Sequence, residues 1–213
     1  MLYAYDEAGH LLGEYDGTGT LIEETVWLGN IPVATLRPNG ATISIYYVHS
    51  DQLNTPRQIT RPSDNTPMWT WNSDPFGTDA ANPNPAGAGT FAYNLPFAGQ
   101  LFDGQAGVHY NYFRGYDPAV GRYIESDPIG LSGGVNTFAY VESNPLSLID
   151  PEGLAGCEDN QQCEELSRID TDTCNAITKR RGKKGWGGLP SFRIRALRGL
   201  LRGQTAASVA SSP

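Results

Sequence analysis

The chain has 213 residues, of which 25 are Gly and 15 are Pro, and only 18 % are charged. This composition favours turns over long helices and excludes a mainly helical protein. Residues 1–154 carry five Arg and 17 acidic residues (net −12), whereas residues 155–213 carry ten basic and six acidic residues (net +4). We therefore expect two parts that meet at Leu154.

A ten-residue repeat opens the chain. YDEAGHLL starts at residue 5 and YDGTGTLI at residue 15, so Tyr, Asp, Gly and Leu recur at an offset of ten. This period is too short for a helical repeat and fits one strand and one turn. Asp at the start of a turn accepts a backbone N–H, and Gly four positions after Tyr supplies a positive φ. Each unit is therefore predicted to form half of a β-hairpin.

Strand patterns continue along the chain. In TISIYYVH at residues 42–49, Ile43, Ile45 and Tyr47 alternate with Thr42, Ser44 and Tyr46. This pattern is an imperfect period of two. TVWLG and MWTWN add aromatic residues that favour strands. These patterns predict an all-β protein from Tyr3 to about Tyr140.

Asp–Pro pairs occur at four positions, Asp74, Asp117, Asp127 and Asp150. Asp followed by Pro, with Gly three positions after Asp, is the preferred composition of a β-turn, so a turn alone explains most of these aspartates. Two of them differ from the others because they begin the DPxGL pentapeptides at residues 127–131 and 150–154.

Two neighbouring carboxylates suit acid–base chemistry, because their repulsion raises one pKa and leaves one acid and one base. Asp127 and Asp150 are the pair that we would choose. Between them, Gly133 with Gly134 and Asn144 with Pro145 predict turns around a short TFAYV strand.

Three blocks carry a resemblance to a known family: residues 5–36, YYVHSDQLNTPRQIT at residues 46–60, and GVHYNYFRGYDPAVGRYIESDPIGL at residues 107–131. They resemble the last YD repeats and the repeat-associated core of Rhs proteins, a family of polymorphic toxins. The resemblance covers about residues 3–154. It implies a β-sheet strip that spirals into a shell around a C-terminal toxin and ends in an aspartyl autoprotease. The chain begins inside a repeat, so we expect the C-terminal part of a longer polypeptide.

The resemblance also implies roles for individual residues. The bond that would be cut follows the second DPxGL pentapeptide, between Leu154 and Ala155, and release of the tail by this autoproteolysis is the predicted function. Arg114 matches the family's arginine best, and Arg122 is the second choice. Such an arginine could hold a carboxylate ionised or stabilise an oxyanion. The alternative for either arginine is a surface or cross-strand ion pair. The candidate catalytic residues are Asp127, Asp150, Arg114 and Arg122.

The tail, residues 155–213, begins acidic and becomes basic, with nine Lys or Arg and no acid in residues 179–202. This stretch predicts either a solvated, partly disordered terminus or a segment that touches nucleic acid. Residues 191–203 could form a short amphipathic helix. The spacing of Cys157, Cys163 and Cys174, with no His in the tail, is poor for zinc. No nucleotide-binding or zinc-protease motif occurs, so we expect no cofactor and no metal.

Partners and location follow from the resemblance. It implies a secreted or delivered effector of interbacterial competition, whose partners are the rest of the shell and an immunity protein that binds the tail. No apolar run reaches the roughly 18 residues of a membrane helix, and the N-terminus lacks an export signal, so the chain would be cytoplasmic if expressed alone. Two alternatives stay open. The chain could be a structural remnant that no longer cleaves, or a carbohydrate-binding or cell-surface module that uses Trp69 and Trp71.

Overall fold

The computed structural model describes residues 1–97 and 99–158. Within these residues, two antiparallel sheets contain all the strands. The first sheet pairs its strands in chain order: β1 (Leu2–Tyr5), β2 (Leu11–Tyr15), β3 (Leu21–Leu28), β4 (Ile31–Asn39), β5 (Thr42–Ser50), β6 (Pro56–Arg61) and β7 (Thr66–Thr70). The second, in the order β11-β10-β9-β8, contains β8 (Leu101–Asp103), β9 (Val108–Asn111), β10 (Arg114–Asp117) and β11 (Arg122–Tyr123). The all-β prediction is confirmed.

The ten-residue repeat forms the first two hairpins. Oδ1 of Asp6 accepts the backbone N–H of His10 at 2.8 Å, and Oδ1 of Asp16 accepts the equivalent N–H of Thr20 at 2.9 Å. The glycines at the ends of these turns, Gly9 and Gly19, have φ angles of 86° and 87°. An aspartate that caps the turn and a glycine in the left-handed region are the features that the repeat predicts.

A central extended segment, residues 91–97, joins the two sheets into one core. Its alternate aromatic and aliphatic side chains are buried. The Phe97 ring lies 5.0 Å from Trp71, on the connection after β7, and 6.0 Å from Tyr116 in β10, measured between centroids. Trp69 and Trp71 are only 1 % and 2 % exposed, so a binding surface built on these two tryptophans is wrong. They pack inside the protein.

The region between the two DPxGL pentapeptides contains turns rather than the predicted strand. TFAYV forms a single β-bridge, between Ala139 and Arg122. The three residues of the 3₁₀ turn Val141–Ser143 all have positive φ angles, between 42° and 63°, which an extended strand excludes. A second 3₁₀ turn, Gly130–Gly133, follows the first pentapeptide.

The predicted tail lies almost wholly outside the described residues. The basic stretch at residues 179–202, the amphipathic segment at 191–203 and two of the three cysteines all belong to that part of the chain. Within the described residues, no helix is long and apolar enough to cross a membrane.

Candidate active site

The two aspartates chosen from the sequence lie on either side of one arginine. Nη1 of Arg114 is 2.9 Å from Oδ2 of Asp127, and Nη2 is 3.2 Å from Oδ2 of Asp150. All three side chains are at least 97 % buried. The cation therefore offsets two negative charges that would otherwise be costly to bury. A surface ion pair, the alternative for Arg114, is wrong.

Arg122, the second choice, does not belong to this site, because its side chain is exposed on β11. Alternate residues of a strand face opposite sides, so the next residue, Tyr123, points inward. Its hydroxyl donates a hydrogen bond of 2.7 Å to Oδ2 of Asp150. β11 therefore contributes a tyrosine to the site instead of the arginine.

Asp150 fixes the backbone just before the predicted scissile bond. Its Oδ1 accepts the N–H of Gly153 at 2.7 Å and the N–H of Leu154 at 2.9 Å. Gly153 has a φ of 73°, and a β-carbon there would lie 2.5 Å from the carbonyl oxygen of Asn111. Only glycine fits this position, which explains the fourth residue of the pentapeptide in physical terms.

Asn111 and Tyr123 support Asp150 from behind. Nδ2 of Asn111 donates to the Tyr123 hydroxyl at 2.9 Å and to the backbone oxygen of Asp150 at 2.8 Å. The guanidinium carbon of Arg114 lies 3.6 Å from the centre of the Tyr123 ring, a cation–π contact. Burial, and the nearby Asp150, raise the pKa of Tyr123 well above its usual range. The phenol therefore stays protonated and donates.

Opposing effects act on the charge of Asp150. Burial raises its pKa above the usual value for aspartic acid, whereas Arg114, the Tyr123 hydroxyl and the N–H groups of Leu154 and Gly153 act in the opposite direction. These four groups are all hydrogen-bond donors. The ionised form of Asp150, which only accepts hydrogen bonds, can accept from all of them.

Asp127 lies on the other side of the arginine, next to the carbonyl group that would be attacked. Its Oδ1 accepts the N–H of Ile129 at 2.9 Å, as expected in an Asp–Pro turn. A β-carbon at Gly133 would lie 2.4 Å from Oδ2 of Asp127 and 2.8 Å from the carbonyl oxygen of Leu154. These two oxygens are therefore at most 5.2 Å apart, the sum of the two distances.

The residue before the predicted bond is held by its side chain as well as its backbone. Leu154 is 2 % exposed and packs with Ile129 of the first pentapeptide and with Phe113. Nε of Arg114 donates to the carbonyl oxygen of Gly153 at 2.5 Å. The two DPxGL pentapeptides thus contact each other directly, around the bond between Leu154 and Ala155.

The turn interpretation is correct for all four Asp–Pro aspartates. Asp74 accepts the N–H groups of residues 76 and 78, and Asp117 accepts the N–H of residue 119. These two aspartates are at least partly exposed, whereas Asp127 and Asp150 are buried on Arg114. Burial and the shared arginine distinguish the pair, and the local sequence does not show either feature.

The two other histidines considered from the sequence have structural contacts in the described part of the chain. His49, which is exposed, lies 2.9 Å from the Thr60 hydroxyl, and His109 is buried among aromatic rings, where burial lowers its pKa to about 4. Among the described residues, no group of three or more His, Cys, Asp or Glu side chains is arranged to bind a metal.

Relatives of the chain include two proteins named as toxins and one named as a probable deoxyribonuclease. The chain is 40 % identical over 112 residues to the double-stranded DNA deaminase toxin A of Burkholderia cenocepacia (53 % of this chain, 8 % of the relative). It is 33 % identical over 189 residues to the probable deoxyribonuclease RhsB of Dickeya dadantii (73 % and 12 %) and 37 % identical over 110 residues to the toxin protein Tse5 of Pseudomonas aeruginosa (52 % and 8 %). The chain thus spans about a tenth of the length of these relatives. No protein-family model matches it.

Solved structures that match part of the chain include two crystal structures of TcdB2-TccC3. The form without the hypervariable C-terminal region matches with a TM-score of 0.46 and 18 % identity over 70 % of this chain and 9 % of the other. The TcdB2-TccC3-TEV structure matches with a TM-score of 0.43 and 18 % identity over 71 % and 9 %. The relatives confirm the resemblance that the YD repeats and DPxGL pentapeptides carry.

Proposed function

Because the chain belongs to the Rhs family of YD-repeat toxins, we propose that residues 1–154 are the end of a shell that cuts its own backbone after Leu154. Cleavage would separate residues 155–213 as a toxin-type tail. One observation carries this proposal: the Asp127 carboxylate lies within 5.2 Å of the Leu154 carbonyl oxygen, in a buried site whose other groups fix the backbone before the bond.

The chemistry is hydrolysis of one peptide bond. Asp127 takes a proton from a water molecule, whose oxygen bonds to the carbonyl carbon of Leu154. Arg114, which contacts Asp127 and the carbonyl oxygen of Gly153, would stabilise the negative charge that develops on the Leu154 oxygen. The bond from carbon to the Ala155 nitrogen then breaks, and this nitrogen receives the proton.

Asp150 is the organising group in this mechanism. Its carboxylate accepts from Tyr123, from Arg114 and from the N–H groups of Gly153 and Leu154. A carboxylate that is occupied by four donors positions the substrate backbone rather than transferring a proton. These contacts favour separate roles for the two aspartates over a pair that shares one proton.

The reaction would take place once in each molecule. Leu154 is only four residues from Asp150, so the bond to be cut is part of the site that cuts it. Such a covalent connection supplies a very high effective concentration and makes an encounter with a second molecule unnecessary. The cleaved chain has no further substrate of its own.

The mass of the purified protein tests this proposal. Wild-type protein should separate, under denaturing conditions, into residues 1–154 and a fragment that begins at Ala155. Asp127→Asn should slow cleavage by about 10²- to 10⁴-fold, because the base is lost. Asp150→Asn should also prevent it, because an amide group presents donors to neighbours that are donors themselves.

The controls come from the same turn type. Asp74→Asn and Asp117→Asn, at aspartates that cap exposed or half-exposed turns, should cleave like the wild type, whereas Arg114→Ala should be slow. Cleavage that persists in both the Asp127 and the Asp150 variants would rule out this mechanism. An intact wild-type chain would instead favour the structural remnant.

We propose further roles for the longer protein of which this chain would be a part. Delivery to competing bacteria, docking with the rest of a shell and binding of the tail by an immunity protein are the roles that we propose by family. The names deaminase toxin and deoxyribonuclease belong to relatives that are much longer. For the tail of this chain, contact with nucleic acid through residues 179–202 stays the alternative to a solvated, partly disordered terminus.

A further inference from the structure

We propose that the β-bridge between Ile149 and Cys157 is a clamp that holds the scissile bond in the site, so that the backbone of Cys157 is a positioning group for the cleavage. This inference rests on the proposed function. It concerns residues 155–157, which lie on the side of the bond that leaves with the tail. Neither the pentapeptides nor the two carboxylates belong to this side.

The clamp consists of two reciprocal hydrogen bonds. The N–H of Ile149 donates to the carbonyl oxygen of Cys157 at 3.0 Å, and the N–H of Cys157 donates to the carbonyl oxygen of Ile149 at 2.8 Å. They close a loop of residues 150–156, which contains both Asp150 and the bond between Leu154 and Ala155. The organising carboxylate and the bond to be cut are thus enclosed in one hairpin.

The base of this hairpin is anchored in the protein. Ile149 is 5 % exposed and Cys157 is 1 % exposed, and both pack with Leu53, on the connection between β5 and β6 of the first sheet. The two ends of the loop are therefore fixed relative to the rest of the molecule, as well as to each other.

The residue before Cys157 is also confined. A β-carbon at Gly156 would lie 3.3 Å from the α-carbon of Val141 and 3.5 Å from Cδ1 of Leu148. Gly156 therefore passes close to the turn at Val141–Ser143. Among the described contacts, this close passage and the bridge restrain the chain after the bond, whereas Asp150, Arg114 and the packing of Leu154 restrain it before the bond.

Restraint on both sides is what an in-chain cleavage requires. If residues 155–157 were free, the peptide group of Leu154 and Ala155 could rotate away from Asp127 while Leu154 stayed buried. A displacement of about 1 Å from the reactive geometry can cost on the order of 10²-fold in rate. The clamp keeps the carbonyl group facing the carboxylate until the bond is cut.

Two substitutions at the same position separate the backbone from the side chain. Cys157→Pro removes the N–H that donates to Ile149, whereas Cys157→Ala retains it and removes only the sulfur, which lies 3.3 Å from the Ile149 carbonyl oxygen. We expect Cys157→Pro to cleave about 10- to 100-fold more slowly than Cys157→Ala, which lacks the same sulfur but keeps the backbone N–H. The rate is measured on the full chain, by intact mass at successive times after refolding.

A third variant covers the case in which proline prevents folding. One glycine inserted between Gly156 and Cys157 shifts the register of the bridge without removing any donor, and it should also slow cleavage at least about tenfold. Amide-exchange protection of β3 and β4, which make no described contact with the hairpin, is followed in each variant. Unchanged protection there shows that the loss is local.

The outcomes are distinguishable. Cleavage of the proline and insertion variants at the wild-type rate would overturn the clamp and leave the proposed function standing. Equal loss in Cys157→Ala and Cys157→Pro would show that the sulfur, and not the backbone bridge, positions the bond, and would also overturn the clamp. A wild-type chain that stays intact would overturn the proposed function together with the clamp.

Discussion

At the scale of residues, the site is a set of short contacts around one guanidinium. Arg114 pairs with Asp127 and Asp150, donates to Gly153 and stacks on Tyr123. Lysine could not replace these contacts, because its single ammonium group lacks the planar, two-sided geometry of arginine. The distances between the carboxylates and the backbone of residues 153–154 therefore depend on this one side chain.

Gly133 provides a direct test of how close Asp127 must come to the Leu154 carbonyl group. A methyl group on Gly133 would lie 2.4 Å from the carboxylate and 2.8 Å from the carbonyl oxygen, closer than real β-carbons approach oxygen atoms. Gly133→Ala should push the two groups apart and slow cleavage about 10- to 100-fold, as measured by intact mass.

Gly17→Ala is the matched control, because a β-carbon there meets nothing within 4 Å. It should cleave like the wild type. A Gly133→Ala protein that cleaves at the wild-type rate would mean that Asp127 acts from a distance, or that another group attacks the bond.

Residue by residue, the sequence predicted only part of this site. Asp127 and Asp150 stood out because their pentapeptide recurs, and Arg114 because of its place in the family blocks. Asn111, Tyr123 and Gly133 did not stand out, because strand alternation and a turn bring them to the site and no local pattern marks such contacts. The resemblance ranked Arg114 above Arg122, and the fold supports this order, since Arg114 is buried between the two carboxylates and Arg122 is exposed.

At the scale of elements, the segment of residues 91–97 is tied to the first sheet through a second buried acidic pair. Glu14 of β2 and Glu23 of β3 are cross-strand partners, and Asn94 donates to Glu14 at 3.0 Å. Arg37 of β4 contacts both Glu23 and the backbone oxygen of Ala92. The attachment of the segment therefore depends on the charge of this pair.

The pH dependence of stability should report this pair. Burial, and then the Glu23 carboxylate, raise the pKa of Glu14 from 4.5 to about 7. At Glu14 the folded protein then binds more protons than the unfolded chain between these values, so this group's contribution to stability should fall as pH rises from about 4.5 to 7 and level off above. The lowered pKa of His109 acts in the opposite direction between about 4 and 6.5. The contribution of Glu14 is on the order of 3 kcal/mol at most.

Glu14→Gln should remove this contribution, so the difference in urea midpoint between the variant and the wild type should shift in favour of the variant as pH rises from 5 to 8. Glu7→Gln, at an exposed turn position, is the control and should keep the wild-type slope. If Glu14→Gln retained the wild-type slope, the acidic pair would not be the source of the pH dependence.

At the scale of the whole molecule, the repeats predict the first sheet better than they predict the core. The Asp–Gly turns fix the hairpins of β1 to β3 locally, so the sequence is enough to place them. The segment of residues 91–97 contains no repeat and follows a stretch rich in Gly and Pro, yet its rings join both sheets. The position of this segment depends on packing between residues that are distant in the chain. A single sequence does not predict such packing.

The last prediction concerns the tail, whose residues 159–213 lie outside the described part of the chain. We recognise no motif for a nucleophile, a general base or a metal site in its sequence. The nine cations in residues 179–202 will nevertheless attract any polyanion. Expression of residues 155–213 in the bacterial cytosol should therefore leave growth unchanged, even if weak, salt-sensitive binding to nucleic acid is detected. Growth, and not binding, is the deciding measurement. Killing that survives removal of residues 179–202 would place a toxic activity in the first part of the tail, between Cys157 and Cys174.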